Sequence, residues 1–74
     1  MSGRDDLEAS AELFDHAAAE LEQASKHCRT AAGHFRAGEV PRGAAHAWAA
    51  TGHLRAAEEA LAEQSRVHAG KSHP

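Results

Sequence analysis

The sequence predicts an all-α fold: an antiparallel two-helix hairpin, residues about 5–37 and 41–68, expected to dimerise into a four-helix bundle. Three observations predict it. Apolar residues recur every seven positions, as Leu7, Phe14, Leu21, Cys28 and Phe35, and again as Val40, Ala47, Leu54 and Leu61. The chain is 42% hydrophobic, mostly alanine, with two prolines and no tyrosine, a composition that favours helix. One strong break, AGEVPRG, divides the periodic stretch. Two long helices joined by so short a turn must lie antiparallel.

The first helix starts near Asp5 or Asp6, either of which can cap it, with Glu8 three residues after Asp5. Its heptad position a, counted from Leu7, carries the large residues. Three and four places later come Ser10 and Ala11, Ala17 and Ala18, Ala24 and Ser25, Ala31 and Ala32. This alternation of large and small predicts a narrow seam of closely packed helices, with Leu7, Phe14, Leu21, Cys28 and Phe35 inside it. Gly38 suits a helix C-cap and Pro41 the first turn of the next helix. The second helix, with Val40 as position a, adds Ala44, Ala50, Thr51 and Ala57 to its stripe. Residues 69–74, AGKSHP, are expected to fray. Each helix is then roughly 40–50 Å long.

The chain of 74 residues is a single domain with few large apolar side chains. Burying each one contributes roughly 1.5–3 kcal/mol, while ordering each residue costs about 1–2 kcal/mol. A lone hairpin falls short, so a second copy is expected to complete the core. No apolar run spans a membrane, and the N-terminus, MSGRDDLEAS, lacks a secretory pattern. The single cysteine, Cys28, suits a reducing compartment. A cytoplasmic location is the expectation.

Charge is segregated along the hairpin. Between Gln23 and Ala57 stand Lys26, Arg29, Arg36, Arg42 and Arg55 against Glu39 alone, a net of +4. The two flanking segments carry ten acids against Arg4, Arg66 and Lys71, a net of −7. The turn half is therefore basic and the open end acidic. Two hairpins with their turns at opposite ends would set each basic half beside an acidic one. A nucleic-acid surface built from the same five bases is the alternative.

Seven histidines are dispersed through the chain. Four share heptad position g: His27 and His34 in the first helix, His46 and His53 in the second. The hairpin register sets His34 opposite His46 and His27 opposite His53. Histidines seven apart on one helix are about 10.5 Å apart along its axis, too far to share an ion. Each cross-helix pair offers two nitrogens, so His27, His34, His46 and His53 are candidate zinc or copper ligands and candidate pH sensors. Protonation of facing rings is expected to loosen the hairpin below about pH 6. His16 has Glu12 and Glu20 four residues to either side, a surface pairing.

The phrase A-[AT]-G-H-[FL]-R-A-[AG]-E occurs twice, at 31–39 and 50–58. It places Gly33 and Gly52 at heptad position f inside helix, where each costs about 1 kcal/mol relative to alanine. A close approach by another molecule, a bend near Gly33, or plain tolerance of glycine at a surface position would explain them. Trp48, at position b, stands beside the seam as a candidate contact residue for a partner.

The spacing Phe35, Gly38, Ala44, Trp48 resembles the turn between the two helices of a tetratricopeptide unit, over about twenty residues. The whole hairpin, with its alternating large and small seam, is similar to the plasmid-encoded ROP-type hairpins. That resemblance implies a dimer that binds paired RNA loops, through Lys26, Arg29, Arg36, Arg42 and Arg55. A helical hairpin is also similar to the WxG-type substrates of type VII export, but the turn AGEVPRG lacks the Trp-x-Gly motif.

No nucleophile–base arrangement, phosphate loop or complete metal constellation appears, and no cofactor or enzymatic activity is expected. The favoured expectation is an adaptor or regulatory module that works by self-association and protein contacts. The alternatives are an ROP-like RNA-binding dimer and a histidine-based metal-binding or pH-responsive bundle.

Overall fold

The structure, a computed structural model, describes residues 3–72, and side chains from Arg4 to Arg66. It contains two helices, α1 (Gly3–Arg36) and α2 (Val40–Ser72), and no strand among the described residues. They form an antiparallel rod with extents of 56 × 18 × 12 Å.

The turn follows from its glycine. Gly38 has φ +79°, a left-handed conformation that glycine adopts without the clash of a Cβ. The Gly38 N–H donates to the Phe35 carbonyl at 3.0 Å and the Glu39 N–H to the His34 carbonyl at 2.8 Å. These two bonds make a Schellman motif, which satisfies carbonyls left over at the end of α1. The Glu39 carbonyl then accepts from the Gly43 N–H at 3.0 Å and opens α2. Pro41 lies in the first turn, where its missing N–H is not needed.

α1 begins two residues before the expected start, so Asp5 and Asp6 lie within its first turn and complement the helix dipole. It runs unbroken past Gly33, so the helix does not break there. α2 continues to Ser72. The expected tail therefore begins inside α2, which Gly70 does not interrupt. The end of the expected tail, His73 and Pro74, lies outside the described residues.

The seam between the helices lies one step round from the expected stripe. Buried or half-buried along the seam are Ser10, Leu13, Ala17, Glu20, Ala24, His27, Ala31 and His34 of α1, Glu39 of the turn, and Gly43, His46, Ala50, His53, Ala57, Ala60 and Gln64 of α2, with Ala32, Ala49 and Ala56 half-buried beside them. All but those three alanines fall at heptad positions d and g. Among the described residues the buried side chains are all small: Ala17, Ala31, Ala50, Ala57 and Ala60. Leu7, Phe14, Leu21 and Phe35, placed inside the seam on sequence grounds, are exposed, as are Val40, Leu54 and Leu61. Cys28 is exposed with them. The physical reason is backbone approach. Alanine at d and glycine at position 43 let the helix axes come together on that side, and bulky residues at a would hold them apart.

Gly43 marks the tightest contact. A Cβ there would meet the Phe35 ring at 2.6 Å, so the ring lies directly on the α2 backbone.

Candidate functional site

The d and g seam leaves position a of both helices on one side of the rod. Leu7, Phe14, Leu21, Cys28 and Phe35 of α1 run beside Val40, Ala47, Leu54 and Leu61 of α2, all exposed. Between the two rows lies an apolar groove of about 540 Å³, edged by Leu21 and Leu54 and floored by small residues such as Ala24, Cys28, Ala47 and Thr51. A second hollow of about 500 Å³ lies toward the turn, between Phe35 and Trp48. Trp48 is 74% exposed and stands at the outer edge of this face, on the far side of α2 from the seam rather than beside it.

Charges rim the face in two blocks. Position b of α1 carries Glu8, Asp15 and Glu22 in the open half and Arg29 and Arg36 in the turn half. Along α2, Arg55 is followed by Glu58, and the sign reverses at about the same height. All seven are exposed. The reversal falls near the middle of the rod.

The four histidines occupy the seam itself. His53 Nδ1 donates to Glu20 Oε1 at 2.6 Å, and His34 Nδ1 to Glu39 Oε1 at 2.9 Å. Between these ends the Nδ1 atoms of His27 and His46 face one another at 3.0 Å. The His27 ring stacks on His53 with centroids 5.4 Å apart, and His34 on His46 at 5.3 Å. These are the two facing pairs that the hairpin register predicts. The result is a file that alternates between helices: Glu20, His53, His27, His46, His34, Glu39. Every member is half-buried.

Glu20 and Glu39 were missed as members of this file. The signal was present, since Glu20 stands seven before His27 and Glu39 seven before His46, at the same position g. Glu20 also takes His16, with Nε2 to Oε2 at 3.8 Å. Arg42 holds the other oxygen of Glu39 at 3.2 Å. Cys28 lies on the open face, away from the histidine file. Among the described residues, no three His, Cys, Asp or Glu side chains converge on one point.

Gly33 and Gly52 are not close-approach points within the hairpin, because a Cβ at either would meet nothing within 4 Å. At position f they lie round the back from the apolar face. Lys26, Arg29, Arg36, Arg42 and Arg55 are all exposed, yet they do not share one side. Arg29, Arg36 and Arg55 rim the apolar face at position b, Lys26 is at f, and Arg42 is at c and paired with Glu39.

Comparison with protein families, with curated proteins and with solved structures finds no match to this chain. The reading of its function rests on geometry alone. No helix among the described residues is long and apolar enough to cross a membrane.

Proposed function

We propose that this protein is an interaction module that works by self-association. Two hairpins close on their apolar faces, turns at opposite ends, into a four-helix bundle that serves as an adaptor or regulator through its outer surface. One observation carries the reading: among the described residues the hairpin alone buries only alanine side chains, while Leu7, Phe14, Leu21, Phe35, Leu54 and Leu61 stay exposed along a single face. A row of this size marks a contact surface. Covering it supplies the large apolar burial that a 74-residue hairpin lacks.

Charge favours a second copy as the occupant. A two-fold axis through the middle of the rod lays α1 antiparallel on α1 of the mate and α2 on its α2. With Leu21 and Glu22 at the axis, Glu8 meets the mate's Arg36 and Asp15 the mate's Arg29, two opposite-charge pairs set against one Glu22–Glu22 contact at the centre. Arg55 comes near the mate's Glu58. In the same register Phe14 meets the mate's Cys28, large against small, while Leu21 meets Leu21 at the axis and Leu7 meets Phe35 at the ends. A parallel dimer would instead set acid beside acid and base beside base.

The test is the assembly state of L21E/L54E, which puts two carboxylates into the groove. The reading expects the wild-type chain to run as a dimer and the variant to run as a monomer with much reduced helicity. A wild-type chain that is a folded monomer at micromolar concentration overturns it. The RNA-binding reading ranks second, because the five bases are spread round the rod and Arg42 is already paired.

A further inference from the structure

Position a of the two helices divides the apolar face into layers about 10.5 Å apart. From the open end they are Leu7, then Phe14 with Leu61, then Leu21 with Leu54. Toward the turn follow Cys28 with Ala47, and last Phe35 with Val40. Leu21, Leu54, Cys28 and Ala47 line one groove. Ala17, Ala57 and Ala60 pack as one cluster in the seam, which sets Phe14 level with Leu61. Four layers carry large side chains and one carries only small ones. We infer that the small layer, Cys28 with Ala47, is a receptor for the Phe14 and Leu61 layer of a second copy. The chain then recognises its own kind by knob and hole. This inference rests on the self-association reading and names the residues that make it selective.

The hole has an internal symmetry. Residues 20–39 and 39–58 repeat one another at a spacing of nineteen: Glu20 and Glu39, His27 and His46, Gly33 and Gly52, His34 and His53, Arg36 and Arg55. Exchanging each residue for its counterpart maps the histidine file onto itself. The Glu20–His53 bond becomes Glu39–His34, and the His27–His46 contact is unchanged. A pseudo-two-fold axis of the hairpin therefore passes between His27 and His46. Cys28 and Ala47 are counterparts beside that axis, and the layers on either side exchange, Leu21 with Val40 and Phe35 with Leu54. The groove of about 540 Å³ thus lies within the repeat, between two walls of large residues. Phe14 and Leu61 lie outside the repeat, in the segments that flank it. Hole and knobs occupy separate stretches of the chain.

A two-fold axis of the dimer through the Leu21 and Leu54 layer brings them together. Phe14 then lies over the mate's Cys28, and Leu61 over the mate's Ala47. Leu54 meets its own copy, as Leu21 does, and Arg55 lies beside its own copy within reach of the mate's Glu58. Every layer is covered, and the small layer is opposed by a large one, as close packing requires. A slip of one layer toward the turns stacks Phe14 on Phe35 and leaves Leu7 uncovered. A slip the other way stacks Phe14 on Leu21 and leaves Phe35 uncovered. Coverage of the layers singles out one register.

The test exploits that pairing. Ala47 and Leu61 are both exposed on the hairpin, so substitutions there leave its seam intact. A47L fills the hole and L61A removes a knob, and each contact occurs twice in a homodimer. Each variant alone is expected to dimerise about tenfold or more weakly than the wild-type chain. Mixed, the two variants prefer one another, because in their heterodimer every such contact again sets one leucine against one alanine. Native mass spectrometry separates the three dimers by mass, and the heterodimer is expected well above the half that random assortment gives. Random assortment would overturn the knob and hole while leaving self-association standing. A preference of A47L for L54A over L61A would overturn it too, since the hole would then take the neighbouring layer. A wild-type chain that stays monomeric would overturn self-association and this pairing with it.

Discussion

The ring of Phe35 lies across the first turns of α2 at Gly43, with Cε2 2.6 Å from where a β-carbon would stand. Gly43 is thus the glycine whose missing side chain the hairpin uses. Substituting Gly43→Ala drives the ring off the helix. Its gain in helix propensity, up to about 1 kcal/mol, is offset by lost packing. In an F35A background nothing opposes the new methyl, and the same substitution stabilises. A double-mutant cycle by thermal melting reads this coupling, and additive effects would contradict it.

Gly33→Ala and Gly52→Ala behave differently. Both positions face open space within the hairpin, so each substitution stabilises by about 0.5–1 kcal/mol through propensity alone. The double variant is expected to melt higher with assembly intact. Lost assembly would place a contact on the back of the rod.

The charged rim predicts that Asp15→Arg weakens the dimer, as does Arg29→Asp. The two together restore it, because the reversed pair meets itself across the two-fold axis. Exposed pairs are worth about 0.2–1 kcal/mol each, and each occurs twice per dimer. The single-variant effect therefore shrinks in high salt. Dissociation constants from sedimentation equilibrium check it, and a double variant no tighter than either single one would contradict the antiparallel register.

Cys28 supplies a footprint of the covered face. It is exposed on the hairpin and opposes Phe14 of the mate in the proposed bundle. Its thiol is expected to react slowly with a maleimide at high protein concentration. Dilution, or the L21E/L54E substitutions, speeds the reaction at least several-fold. A rate independent of both would leave the face uncovered.

The helices, the turn and the facing histidines were legible in the sequence, because heptad spacing, Gly38 and Pro41 act locally. The seam was not. Leu7 to Phe35 at position a and the alanines at d read as one stripe, but each helix carries two overlapping stripes. The hairpin uses d and g, where Ala17, Ala31, Ala50 and Ala57 allow close approach, and leaves a for another layer. Periodicity alone cannot tell which stripe faces the chain's own second helix. Glu20 and Glu39 escaped notice for a related reason: a carboxylate at g reads as solvated until the seam is known to run through g. The contact of Phe35 with Gly43 depends on the exact approach of two helices, which no spacing encodes.

Sedimentation equilibrium of the untagged chain tests the central claim most directly. The account predicts a single species of twice the 7.8 kDa chain mass at micromolar concentration, helical by circular dichroism and reduced to monomer by L21E/L54E. A wild-type chain that sediments as a stable, fully helical monomer would contradict it.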